Sequence, residues 1–233
     1  MSSRTIRGVL CVIMGFFLIA AWASSAASMP EFRIALTFDD GPRPDILKDL
    51  LPLLERYEAK GTFFVVGWAA AKHADTIHDV HRRGHEIENH TYGHDNLKKL
   101  VASQGANGVR LNLARTSEII QKITGRKPHF VRPPFWALND EIGRIIADEG
   151  YRVVMLERPD INSLDYEDVD KKRPVDMLTN RVKYLIEYNQ KRGKTDFVLV
   201  FHELPLTVQA LNHLIPYFKD KGYRFVRLDE LYP

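Results

Sequence analysis

From about residue 30 onward, short apolar runs alternate with longer stretches whose apolar residues recur every three to four positions. Arg33–Phe38, Thr62–Val66, His85–Glu88, His129–Arg132, Tyr151–Leu156, Phe197–Phe201 and Arg224–Arg227 read as strands. Pro44–Ala59 reads as a helix on Ile46, Leu47, Leu50, Leu53, Leu54 and Tyr57; Leu111–Ile123, Asp140–Asp148, Met177–Tyr188 and Val208–Lys219 follow it. Gly125 and Gly150 close two of these helices, and Pro133-Pro134 stops the fourth strand, since proline has no N–H for a ladder. Strands interleaved with helices argue for a mostly parallel sheet covered on both faces. About seven parallel strands in about 200 residues fit a distorted (β/α) barrel, smaller than the eightfold one; an open doubly wound sheet is the alternative. No glycine-rich phosphate loop follows a strand, so a nucleotide cofactor has no support. The most irregular stretch, residues 158–174, is dense in charge and lies between a strand and a helix, where it is either a solvated loop or part of an active-site rim.

The first 27 residues have a different organisation. Arg4 and Arg7 precede an uncharged apolar run, Gly8 to Ala23, and small residues follow at Ser24 to Ser28. That order is the order of a secretory signal peptide, so we expect residues 1–27 to be a signal peptide and 28–233 one catalytic domain, exported to the periplasm or outside the cell. An uncleaved membrane anchor is the rival, although the apolar run is short for a span of about 20 residues. Cys11, the only cysteine, sits at the front of the apolar run. The domain therefore has no disulfide and no thiolate metal site, and a bound metal must rest on His, Asp or Glu. Processing would lower the 33 Lys and Arg to 31 and leave the 30 Asp and Glu untouched. A balance so near zero gives no footprint for nucleic acid.

Candidate chemistry gathers where strands end. In Thr37-Phe38-Asp39-Asp40-Gly41-Pro42, two adjacent carboxylates would point to opposite faces within a strand, but a turn at its end can swing them together. One is then free to hold a metal and the other to act as a base. His90 and His94 stand at i and i+4, which in a helical turn places both on one face. With Asp40 they make a two-His, one-carboxylate set, the type found at catalytic zinc and also at non-haem iron. Arg132-Pro133-Pro134-Phe135-Trp136 is a rigid strand exit able to place Arg132 beside a carboxylate and a backbone N–H toward a developing oxyanion. His202 ends an apolar strand, as a core residue or as a general acid. The remaining histidines read as ordinary.

In this order and spacing, TFDDGP, HTYGH and RPPF resemble the polysaccharide deacetylase family, carbohydrate esterase family 4, with its NodB homology domain; the resemblance runs from about Phe32 to Leu231. It implies that Asp39 is the catalytic base, that Asp40, His90 and His94 are ligands of a divalent metal, usually Zn2+, and that Arg132 orients the base. Phe135 stands where the family usually has Tyr and contributes its N–H. His202 matches the general acid, with Glu203 following it in place of the usual Asp, and Leu199 matches a leucine lining the acetyl pocket. Asn162-Ser163-Leu164-Asp165-Tyr166 is the nearest match to a D-x-x-D-W pattern, with Asp165 supporting Arg132 and Tyr166 replacing Trp; Asp160 offers another registration. Trp136 and Tyr166 are candidate sugar contacts.

The implied activity is metal-dependent removal of N-acetyl groups from a carbohydrate polymer or oligomer, of peptidoglycan or chitin type, with release of acetate. Alternatives on the same scaffold are an amidase acting on a non-sugar amide, an O-acetyl xylan esterase, an iron oxygenase, and a non-catalytic carbohydrate-binding relative. A membrane partner is expected only if the N-terminal segment stays uncleaved.

Overall fold

A computed structural model describes residues 31–156, 160–166 and 174–233. The expected signal segment and most of the charged stretch at 158–174 lie outside the described residues. The chain runs β1 (Arg33–Gly41), α1 (Pro44–Arg56), β2 (Gly61–Val65), α2 (Gly67–Lys72), α3 (Ala74–Arg82), β3 (Glu86–Asn89), α4 (Leu97–Thr124), β4 (Phe130–Val131), a 3-10 turn (Pro134–Trp136), α5 (Asp140–Asp148), β5 (Arg152–Val153), β6 (Ile161–Asn162), α6 (Val175–Gln190), β7 (Asp196–His202), α7 (Pro205–Asp220), β8 (Arg224–Val226) and α8 (Leu228–Leu231).

All strand pairs are parallel, in the order β5-β4-β3-β2-β1-β7-β6, with β8 also on β1. The sheet curls into a distorted (β/α) barrel that stays open between β5 and β6. β1 is its centre. It pairs with β7 over its whole apolar length, from Arg33↔Asp196 to Asp39↔His202, while its other edge is divided between β8 at residues 33–35 and β2 from Leu36. Side-chain alternation divides the core in two. Ile34, Leu36, Phe38, Phe63, Val65, Phe197, Leu199 and Phe201 face outward and pack under α1, α6 and α7. Ala35, Phe64, Phe130, Val154, Val198 and Leu228 face inward and fill the lower lumen.

Two helices behave as their sequences require at the ends. Pro44 opens α1, where a missing N–H costs nothing, and Gly125 closes α4 in the left-handed region at φ 75°. The structure extends the expected reading elsewhere. α4 begins at Leu97, well before Leu111, because two helical segments meet at Gly105 (φ 65°), where the apolar pattern is interrupted. The two-residue strand β6 is added to the seven expected, and α2 and α3 occupy a stretch that carried no helix expectation.

Candidate active site

The inward face of the barrel changes from apolar to polar as it nears the strand C-termini. Above Phe64 lies the Arg132 guanidinium, 4.1 Å from the ring centroid. One of its nitrogens, Nη1, donates to Asp39 Oδ1 at 2.7 Å and to Thr37 Oγ1 at 2.8 Å. The Thr37 hydroxyl in turn donates to the Leu199 carbonyl. Arg132 is 1% exposed and Asp39 4%, so this ion pair is held away from water. Arg132 therefore stands against Asp39 as expected.

Asp40 leaves the strand with φ 68°, which turns its carboxylate onto the same side as Asp39. There it meets both histidines. Asp40 Oδ1 lies 3.1 Å from His90 Nε2 and 2.9 Å from His94 Nε2, and one ligand atom from each residue falls within 4.8 Å of the others. Thr91 and His94 both have positive φ (67° and 57°), so the HxxxH segment is a loop rather than the expected helical turn; the loop, not a helix face, brings the rings together. It is anchored below by Asn89, whose amide donates to the Leu113 carbonyl and Ser117 hydroxyl and whose Oδ1 accepts from Thr91 N–H. Burial opposes the charge on Asp40, and the two imidazoles facing it outweigh that effect, holding the carboxyl below its usual value.

The protonation pattern of His90 tests whether a metal fits. Its Nδ1 lies 2.7 Å from the Arg132 carbonyl, which can only accept, so Nδ1 carries a proton and, in the neutral imidazole that ligates metals, Nε2 presents a lone pair. A lone pair and a carboxylate oxygen 3.1 Å apart need a cation between them. The three residues fit a divalent metal, and among the described residues they are the one such cluster.

On the other side of the cavity, His202 Nδ1 lies 2.8 Å from Asp165 Oδ1, and Asp165 Oδ2 accepts from His202 N–H and Thr207 Oγ1. Burial works against a charged His202; Asp165 overcomes it, with Asp39 and Asp40 adding, and the imidazole is raised above its usual value. Asp165 was expected to support Arg132. It supports His202 instead, because β6 pairs with β7 and brings the 162–166 turn against the end of β7, while Arg132 arrives from β4 across the lumen.

Asp39, Asp40, His90, His94, Pro133, Phe135, Trp136, Tyr166 and His202 line one open cavity of about 240 Å³. Phe135 sets its edge on His94 (4.7 Å between centroids), and Tyr166 its edge on His202 (4.9 Å). Phe135 and Trp136 both have positive φ, and the Phe135 N–H has no acceptor among the described residues. Leu199 is not part of this cavity: it stands on the outward face of β7, packed in the core, while Val200 and His202 share the inward face. Thr37, Asn89 and Thr207, which hold the site residues in place, were missed. Only Thr37 had a signal, two residues before Asp39 on the same strand face.

A family model described as polysaccharide deacetylase matches residues 26–154. The chain is 30% identical over 205 residues to a peptidoglycan-N-acetylglucosamine deacetylase of Bacillus cereus, covering 86% of this chain and 68% of that one. It is 29% identical over 198 residues to the peptidoglycan-N-acetylmuramic acid deacetylase PdaC of Bacillus subtilis, spanning 38% of that protein. The solved PdaC structure superposes with a TM-score of 0.71 at 28% identity, over 87% of this chain and 90% of that one. A chitin deacetylase of Colletotrichum lindemuthianum is 28% identical over 204 residues, 84% of this chain and 78% of that one.

Proposed function

This chain belongs to the polysaccharide deacetylase family, and we propose that it hydrolyses N-acetyl groups from an N-acetylated glucosamine polymer of peptidoglycan or chitin type, releasing acetate and leaving a free amine. The observation that carries the reading is the convergence in one cavity of a two-His, one-carboxylate cluster with a carboxylate on one side and, on the other, an imidazole held by a buried carboxylate.

Asp40, His90 and His94 would hold a divalent ion, and Zn2+ suits that donor set. When bound, the ion polarises a carbonyl oxygen and lowers the pKa of water. The chain's own residues do the rest. Asp39 takes the proton from the attacking water, and the Arg132 charge fixes which carboxylate oxygen faces the cavity. The Phe135 N–H donates to the oxygen that becomes negative, an interaction worth about 3 kcal/mol in comparable sites. His202, oriented through Nδ1 by Asp165, presents Nε2 to the leaving nitrogen and protonates it. Trp136 and Tyr166 border the cavity as surfaces for a sugar ring. The order of charge, apolar run and small residues at the N-terminus supports export as the route to such a polymer.

The test is acetate release from peptidoglycan, chitin oligomers and acetylated xylan, with and without chelator. We expect release from a glucosamine polymer, its loss on chelation, its return with Zn2+, and its loss in Asp39→Ala that still binds metal. Release near the wild-type rate from Asp39→Ala, or none from any substrate, would overturn the reading.

A further inference from the structure

Glu203 has no part in the chemistry derived above, yet it is enclosed as fully as Asp165. It follows His202 at the end of β7 and is 1% exposed. Its Oε2 accepts the Arg43 N–H, and its Oε1 is buried with no hydrogen-bond partner among the described residues. Such a carboxyl is costly unless something requires it there.

The turn it touches is the one that carries Asp40. The β1–β7 pairing ends at Asp39↔His202, and the next three residues, Asp40, Gly41 and Pro42, turn away from β7 into α1. Asp40 is in the left-handed region, a conformation that persists only where its surroundings over-determine it. Arg43, the N-cap of α1, makes no side-chain cap of its own; Glu203 accepts its backbone N–H from the neighbouring strand, the bond that an N3 Glu makes in a capping box. Gly41 is shaped around the same group: a Cβ there would sit 1.9 Å from Glu203 Oε1. The Glu203 carboxyl therefore continues, by side chain, the connection that the backbone ladder drops at Asp39.

We propose that Glu203 is the positioning residue of the Asp40 turn: its carboxyl pins the Gly41–Arg43 backbone to the end of β7 and so sets the Asp40 carboxylate against His90 and His94. The proposal rests on Asp40 being a metal ligand. It assigns Glu203 no contact with substrate.

The test compares Glu203→Gln, which keeps an acceptor for Arg43 N–H, with Glu203→Met, which fills the same space without one. Zn2+ affinity of the metal-stripped protein is measured by competition with a chromophoric chelator, with Asp40→Ala setting the scale of a lost ligand. Glu203→Gln should bind within about threefold of wild type, and Glu203→Met should bind roughly tenfold or more weakly, the usual effect of removing a group that orients a ligand. Equal affinity in the Gln and Met variants would overturn the proposal, since packing alone would then account for the residue. If Asp40→Ala binds Zn2+ like wild type, the ligand assignment fails and the proposal with it. Wild-type Zn2+ affinity without acetate release would instead count against the deacetylase reading alone. Should Glu203→Met not fold, Glu203→Asp, one methylene short of Arg43, is measured in its place with the same two outcomes.

Discussion

The sharpest stability prediction concerns Arg132→Met. The side chain is 1% exposed, and its Nη1 serves Asp39 at 2.7 Å and Thr37 at 2.8 Å. Methionine has a similar reach and would lie on Phe64 as the guanidinium does, so the change removes charge and donors more than volume. Asp39, itself 4% exposed, is left without its cation. Breaking a buried pair by removing one partner costs about 3–5 kcal/mol. Loss of the stacked cation adds to this, up to about 2 kcal/mol when desolvated. One contribution runs the other way: Arg132 Nε is already buried without a partner among the described residues, and removing it relieves about 1 kcal/mol or more. Thr37 loses little, because its hydroxyl keeps the Leu199 carbonyl. The net is about 4 kcal/mol, equivalent to a fall of roughly 10 °C in Tm for a domain of this size. In metal-stripped protein at one pH, urea unfolding followed by far-ultraviolet circular dichroism should show that loss. The double variant Asp39→Asn, Arg132→Met should recover most of it, because the stranded charge is gone. A loss below about 1 kcal/mol in Arg132→Met, or a double variant no more stable than the single one, would refute the account of this pair.

Two further predictions test the scaffold. Burial, with Glu86 beside it, raises the Glu88 carboxyl well above its ordinary 4.5. As pH climbs past 4.5 the unfolded chain gives up this proton and the folded one keeps it, so the wild type loses stability across that window. Glu88→Gln, which keeps the acceptor for Phe130 N–H, should match the wild type near pH 4 and exceed it near pH 8. The gap should widen by about 1.4 kcal/mol for each pH step of one until the buried carboxyl itself ionises; a urea-midpoint gap that does not change with pH would contradict this. Asn89→Ala strands the Thr91 N–H, while the Leu113 carbonyl keeps its bond within α4; it should cost about 1–3 kcal/mol and weaken Zn2+ binding, because Thr91 lies between the two histidines, and unchanged affinity in folded protein would show that the loop holds itself.

The barrel was legible where strands are long and buried on both faces. β7 is a continuous apolar run and β1 one interrupted only by Thr37 before its carboxylates, as central parallel strands should be, and five of the six helix-spaced apolar residues fall in α1, with Tyr57 at its C-cap. β6 was not legible: two residues are too few for periodicity, and the surrounding charge spoke for a loop. α2 and α3 are each under ten residues, and the glycines at 105 and 108 hid the first half of α4. At the site, Asp40, His90 and His94 could be paired by chemistry alone. The partner of Asp165 could not, because Arg132 and His202 are both cationic candidates and only the pairing of β6 with β7 decides between them. Leu199 shows the same limit: counting back along β7 identifies a leucine, and strand parity turns it away from the cavity.

Asp40, Thr91, His94, Phe135, Trp136 and Leu164 all hold a left-handed backbone, and every loop that supplies a cavity residue before β7 contains at least one of them. Away from glycine, each such residue costs about 1–2 kcal/mol. The barrel wall shows no comparable concentration of uncomfortable geometry among the described residues. Directed evolution should feel this division. A library screened only for heat tolerance would find easy gains at these rim positions, through glycine or asparagine, and would blunt turnover as it did so. Screened for turnover, the same library would leave the rim alone and find its tolerated changes in the wall. The two selections would agree over most of the chain and part company along one thin crown of loops.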